Sequence, residues 1–532
     1  MNRRAAILML SVLSAPAAAA PRFSLADADL NLAWEESAAS FVTPSFQDYL
    51  AARNEAFAEG VPRLFEGGAP TPDDAETPAL APRNKRGNNR SFTELAASGG
   101  NGGRMELAGF QGWEINFLDA AASFRESRVS SGDGLFGNDF IRADAEVAFS
   151  DQAGTTVGFA ADYEGNAERA HAAENIPVPE LSDNVARSGE GSAGFRSNLW
   201  GKAKLATKVS ATFTEGDYPE GDVVDQKITA DSTYDFFWLG ENMSRGHFTL
   251  SQENREIYGE DQGLLFGRLG LENDFPIANR LYLSGGFGSY LLRNDAREFR
   301  VYPLGRLQLR LTSSWGYFVN YGPRLRVPGF RELYMHRAYV VPTAFRPVED
   351  EYFSMRSGLN YNFRDVGRIT VAAYERRFGR TYAVADTRLG GAAYFDPGRV
   401  RVRGADVFYR VTLAYVEHYG GAEYRNAELF EAPHNHFPHL PSYEGSAGLT
   451  VRFGAGHSAS AEVRFLGERY AAPAAPEPLA AAWVPAANVV VRFRAGISAT
   501  AAAENFTDEL YYDTGGVVAP GRTFRLGMSF VL

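Results

Sequence analysis

The sequence predicts an all-β fold: an antiparallel transmembrane outer-membrane β-barrel of about 20 strands, where closure at an even number admits 18 to 22. Three observations carry this. Apolar and polar residues alternate with period two from residue 105 to the last residue, the polar face carries charge, and the chain opens with an export signal. A soluble sandwich would instead need two apolar faces meeting around a dry interior. The 532 residues contain no run of about 18 apolar residues, which excludes helical spans. Phe and Tyr number 38 and 25, which suits girdles at the two lipid interfaces. A net charge of -12 without a basic, aromatic-rich patch excludes nucleic acid as a partner. The absence of Cys excludes a lipid anchor, a disulfide framework and a thiolate metal site.

Residues 1–20 read as a signal peptide: Arg3 and Arg4, an apolar stretch from Ala5 to Leu13, then small residues. Residues 21–104 read as a periplasmic or lumenal leader. Ser45 fits a helix N-cap, Phe46, Tyr49, Leu50 and Phe57 share a helical stripe, and Gly60 and Pro62 end it. From Glu66 to Arg104 the chain is rich in Gly, Pro, Asn and Asp and ends in Ser98-Gly-Gly-Asn-Gly-Gly103, the composition of a flexible tether. A short helix that docks on the lumen or a periplasmic partner and a largely disordered leader are both compatible with this.

The barrel is expected over residues 105–532. In 141–149 the outward set is Ile141, Ala143, Ala145, Val147 and Phe149, and the inward set is Arg142, Asp144 and Glu146. Leu205, Val209, Ala211 and Phe213 likewise oppose Lys204, Lys208, Ser210 and Thr212. Ile228, Ala230, Tyr234 and Phe236 oppose Lys227, Thr229, Asp231 and Asp235. A charge facing lipid costs about 2–4 kcal/mol at the midplane, so these charges line the lumen. An all-polar lumen wall implies water or a polar plug inside. Short turns (Asp151–Gly154, Phe363–Gly367, Gly454–Gly456, Arg494–Gly496) alternate with long connections near 164–190, 327–350, 379–398, 428–441, 471–480 and 509–520. The short ones are assigned to the periplasmic end and the long ones to the extracellular end.

The last strand places Phe524, Leu526, Met528, Phe530 and Leu532 on one face, with Arg525, Gly527 and Ser529 on the other. Arg525, Gly527, Phe530 and Leu532 resemble the insertion signal that the barrel-assembly machinery reads, with Leu532 where an aromatic usually stands. Five further stretches resemble the barrels of TonB-dependent receptors. Tyr321-Gly-Pro-Arg-Leu-Arg-Val-Pro-Gly-Phe-Arg-Glu-Leu-Tyr334 looks like Y-G-x-G-F-R-A-P-x-F-R-E-L-Y, departing from it at Pro323 and Leu325. Arg401-Val-Arg-Gly-Ala-Asp406 is similar to R-x-R-G-x-E, and Phe465-Leu-Gly-Glu-Arg-Tyr470 to Y-x-G-x-R-Y. Asn505-Phe-Thr-Asp-Glu-Leu-Tyr511 carries N-x-x-D-x-x-Y, and Pro520-Gly-Arg-Thr-Phe524 carries P-G-R-T-F. The resemblance implies a receptor that takes up a polar ligand across the outer membrane of a Gram-negative-type bacterium. The family's globular plug and motor-coupling box are not recognisable in 21–104. The lumen is therefore closed by the leader, closed by another protein, or open.

Two loops hold candidate ligand contacts. Tyr334, His336, Tyr339 and Arg346, with Phe345, make the 327–350 connection aromatic and basic, suited to a siderophore or glycan. The plainer account is an interfacial girdle. His434, His436 and His439 cluster in a second loop, and imidazoles at that density suit zinc, copper or nickel, whereas the plainer account is chance clustering in a polar loop. No nucleophile elbow or phosphate loop is present, so a non-enzyme without a cofactor is expected. The reading is a receptor or transport barrel for a polar ligand. A plugless structural or assembly barrel anchoring a periplasmic partner through 21–104, or a passive pore, is the alternative. Outer-membrane lipid and the assembly machinery are the other expected partners.

Overall fold

The computed structural model describes residues 90–531 apart from 101–104, 116–117, 131–135, 151–154, 171–183, 200–202, 219–220, 239–241, 279, 295–296, 335–339, 344, 364–365, 387–391, 432–435, 455–456, 495–496 and 510–520. The export signal and the 45–57 helix lie outside the described residues.

The main sheet contains 23 strands, of which Trp315–Tyr321 and Arg324–Arg326 both pair with Glu349–Asn362 and form one traverse, leaving 22 passes. Gly322 and Pro323 interrupt that traverse, since proline has no N–H to give a ladder. The final strand Thr523–Val531 pairs antiparallel with Arg90–Gly100, from Glu94 opposite Val531 to Gly100 opposite Arg525, and so closes the ring. A ring antiparallel at every seam needs an even count, and 22 satisfies it at the upper edge of the expected range.

The closing strand corrects one expectation. Ser98, Gly99 and Gly100 were assigned to the tether, yet they pair with Gly527, Leu526 and Arg525. Ser98 and Gly99 also sit in the register that joins Arg90–Gly100 to Met105–Ile115, opposite Glu106 and Met105. Glycine in a strand is weakened by entropy but not forbidden, and the ladders on both sides outweigh that preference.

The face assignments hold where side chains are described. Ile228, Phe159 and Val371 are 60%, 53% and 51% exposed on the lipid side, too much apolar surface to present to water. The inward charges are largely paired with one another. Arg356 donates to both Asp406 oxygens at 2.7 and 3.3 Å. Arg425 lies 3.1 Å from Glu444, and Tyr419 donates to Glu462 at 2.9 Å. The alternation of turn lengths is looser than expected. Tyr258 and Gly259, with φ of 53° and 83°, join Asn242–Ile257 to Glu260–Ala278 at the extracellular end in a tight hairpin. Two consecutive positive φ values define the type I′ turn, which matches strand twist.

The wall is uneven in height. Strands from Asn184–Leu199 to Glu260–Ala278 run 16 to 19 residues, whereas those from Ile497–Glu504 to Thr523–Val531 run 8 to 9. The tall side carries inward-facing apolar residues at its extracellular ends, and these receive the loops described next.

Candidate functional site

The 327–348 connection turns into the lumen. Val327-Pro328-Gly329 ends the strand, and Phe330–Tyr334 forms one helical turn, in which Leu333 N donates to Gly329 O at 3.2 Å. Phe330, Leu333 and Tyr334 are fully buried and pack on Tyr218, Val223 and Ile257 of the tall wall. All three wall positions share parity with Thr214, Asp225 and Arg255, and so face inward. The Phe330 and Tyr334 rings lie 4.4 Å apart, and the Arg255 guanidinium sits 5.3 Å from the Phe330 centroid.

A second connection locks the first. Val340–Val341 pairs in parallel with Ala392–Phe395, which runs antiparallel to Ala383–Asp386, forming a three-stranded sheet. Tyr394 packs edge-on against Tyr334 at 5.4 Å and donates to Leu333 O at 2.9 Å. Tyr258 donates to Pro342 O at 3.1 Å. The two loops together form a lid with its own apolar core.

Arg331 fixes the lid to the far wall. Its Nη2 donates to Asp162 and, at 2.8 Å, to Glu164, while Nη1 lies 3.8 Å from Glu190. Asp162 and Glu164 belong to Thr156–Ala170, the fifth strand, eight steps from the thirteenth pass that launches the loop; eleven would be diametrically opposite. The lid therefore spans the lumen. Burial works against the Arg331 charge, but Asp162 and Glu164 outweigh it and hold its pKa above the ordinary arginine value. Arg346 docks the other end of the loop, with Nη2 3.2 Å from Glu253. Burial, reinforced by neighbouring Arg255 against the pull of Glu253, holds the Arg346 pKa below the ordinary value.

The sequence-selected residues separate accordingly. Tyr334 is a core residue of the lid: with the lid closed its ring is buried on Tyr394 and turned away from the loop surface. Arg346 is a docking residue of the lid. His336, Tyr339 and His434 lie outside the described residues. His436 stacks on Tyr470 at 3.4 Å and donates its backbone N–H to Pro473 O, and His439 is buried with φ of 53°. Among the described residues no group of His, Asp and Glu is arranged to hold a metal. In the last strand Arg525 faces the lumen and bonds Glu504, Gly527 shares that face, and Phe530 faces lipid; Leu532 lies outside the described residues.

The lumen wall is not all polar, which overturns a second expectation. A further apolar cluster of Leu264, Tyr290, Leu292, Tyr302, Leu325 and Val348 faces inward beside the lid. Sequence reasoning missed these because the same period-two pattern places apolar residues on both faces near the strand ends. The motif residues prove structural: Phe330, Leu333 and Tyr334 build the lid core, Asp406 receives Arg356, and Asp508 accepts the Arg522 N–H at 2.7 Å.

The shape is shared with solved proteins. The copper transporter OprC superposes with a TM-score of 0.65 at 14% identity, over 84% of this chain and 81% of its own. The ferric enterobactin receptor of Pseudomonas aeruginosa gives 0.67 at 11%, over 84% and 81%. The FrpB iron transporter of Neisseria meningitidis gives 0.68 at 10%, over 84% and 82%. No family profile matches the chain, and neither does any curated protein sequence. The solved neighbours are TonB-dependent receptors. At these identities the chain has the barrel fold of that class, built from its own distinct sequence.

Proposed function

We propose that this chain is an outer-membrane receptor or transport barrel of a Gram-negative-type bacterium, admitting a polar ligand such as a siderophore or glycan through a lumen gated at the extracellular end. The supporting observation is the lid: two loops of the chain cross the lumen, and Arg331 bonds to carboxylates most of the way round the wall. A closure that relies on a few charged hydrogen bonds and a small apolar core can open without unfolding the barrel. That proteins of like fold are a copper transporter and an iron transporter supports the transport half of this reading. The proteins of like fold are transporters and receptors, which supports reading this chain as a non-enzyme.

Growth on iron-chelated medium with and without the gene tests uptake. A growth defect rescued by the wild-type gene supports the receptor. Unchanged growth, with large constitutive conductance of the purified protein in planar bilayers, favours the passive pore. The chain's own lid gives that second reading a footing, since a constriction made from barrel loops can sieve without a motor. A periplasmic partner bound through residues 21–89 belongs to the receptor and anchoring readings, and pull-down with and without that segment tests it.

A further inference from the structure

We propose that three outward-facing arginines, Arg377, Arg401 and Arg403, form a cradle for the phosphate groups of the outer-leaflet glycolipid. The inference rests on the outer-membrane reading above. Arg377 and Arg401 are cross-strand partners, as are Glu375 and Arg403 one step below. Glu375 is in register with Met355, and Val371 with Val407, both on the lipid face, so all four ionic residues point away from the lumen. Neighbouring Arg376 points the other way, into Glu351.

The geometry is that of a prepared anion site. A single carboxylate gathers three guanidiniums: Arg377 at 2.6 Å, Arg401 at 2.8 Å and Arg403 at 3.3 Å from Glu375. One acid cannot use the donors of three arginines, so N–H groups remain in surplus on this outward face. Arg377 is held further by the Phe353 ring at 4.9 Å. Glu428, in register with Arg401 and bonded by Asn426, is a second acid beside the cluster, and the exposed Glu431 is paired with Arg399, so a net positive charge remains.

Height selects the occupant. Immediately below the cluster come Ala373 and Ala405, in register with Tyr424, whose ring lies 5.0 Å from that of Tyr443 at a tilt of 42°. Apolar residues continue from there towards the periplasmic end. The arginines therefore sit one step above the lipid band, at headgroup level, where phosphate monoesters of a membrane glycolipid lie. Guanidinium recognises phosphate through paired, charge-assisted hydrogen bonds. On the tall part of the wall the outward positions at the strand tops are acidic instead, where Asp217 faces Asp222 and Glu256 faces Asp261, while Arg293 faces Arg297 on the neighbouring pair of strands. Phosphate is repelled at the acidic pairs, which makes the arginine cluster a local site.

The test uses full-length protein first shown to float with liposomes, which separates failure of the barrel reading from failure of this one. Purified protein is offered bis-phosphorylated lipid A, the same lipid without phosphates, or phosphatidylglycerol, and the retained lipid is quantified by mass spectrometry. Wild type is expected to retain phosphorylated lipid A about tenfold over either of the others. R377Q/R401Q/R403Q is expected to lose that preference, whereas the triple lysine variant regains part of it and E256Q/D261N keeps it. Folding of each variant is checked by its shift in mobility on heating in SDS. Equal retention by wild type and the folded glutamine variant, or retention of phosphatidylglycerol equal to lipid A, overturns the proposal.

Discussion

Replacing Arg331 by Ala removes the link that holds the lid to the far wall. The side chain donates to Asp162 and Glu164 and nears Glu190, and it is 22% exposed, while Glu164 is only 2% exposed. A hydrogen bond to a charged group contributes about 1.5–3 kcal/mol, and partial exposure keeps the sum near that range and below the cost of a fully buried pair. At about 1.4 kcal/mol per decade, the open population rises about ten- to hundredfold. Conductance of purified protein in planar bilayers reads this as longer or more frequent open events. Because the chain has no Cys, L333C supplies a single reporter, buried when the lid is closed. It should react slowly with a thiol reagent alone and quickly when combined with R331A. Equal conductance and equal labelling, with and without R331A, would refute a latch at this position.

Three further outcomes follow from the packing. Phe330→Ala empties the lid core and should cost it about 3–5 kcal/mol, read as proteolysis within 327–348 while the barrel keeps its heat-dependent gel mobility. Asp406→Ala removes the acceptor of both Arg356 hydrogen bonds and should cost the wall about 1.5–3 kcal/mol, measured as a lower guanidinium midpoint by tryptophan fluorescence. Gly404→Ala places a methyl group against the Tyr374 hydroxyl and the Tyr424 carbonyl, where backbone cannot yield; about 1–3 kcal/mol of overpacking should show as a smaller folded fraction on the gel.

The wall was legible in the sequence because a strand's two faces alternate whatever its neighbours are. Ile228 beside Lys227 names its own side. The lid was not legible, for a physical reason. Whether Phe330 and Tyr334 meet lipid, water or protein depends on Val223 and Ile257, more than 70 residues earlier, being apolar on an inward face. No local pattern in 327–350 contains that information. Aromatic residues at strand ends are ordinary girdle material, so the local pattern places Tyr334 at the surface, whereas in the fold its ring is fully buried, as is that of Phe330. His436 suffers from the same blindness: its partner Tyr470 arrives from the next loop over.

The same distance effect hid the closing strand and leads to a separate test of the architecture. Arg90–Gly100 looks like tether because its last residues are Ser and Gly, and its identity as wall depends on Thr523–Val531 at the other end of the chain. Deleting 21–89 leaves all 22 passes, so the truncated protein should insert and keep its heat-dependent mobility. Deleting 21–100 leaves 21, a number that cannot close antiparallel at every seam, and exposes the unpaired edges of Met105–Ile115 and Thr523–Val531 to lipid. In a bilayer each unsatisfied backbone group costs several kcal/mol, so this loss is far larger than any single side-chain change above. The longer deletion should therefore yield aggregate or degraded chain, and the shorter one folded barrel. If both fold equally well, the ring closes by some pairing other than the register of Glu94 with Val531, and Arg90–Gly100 is not the closing strand.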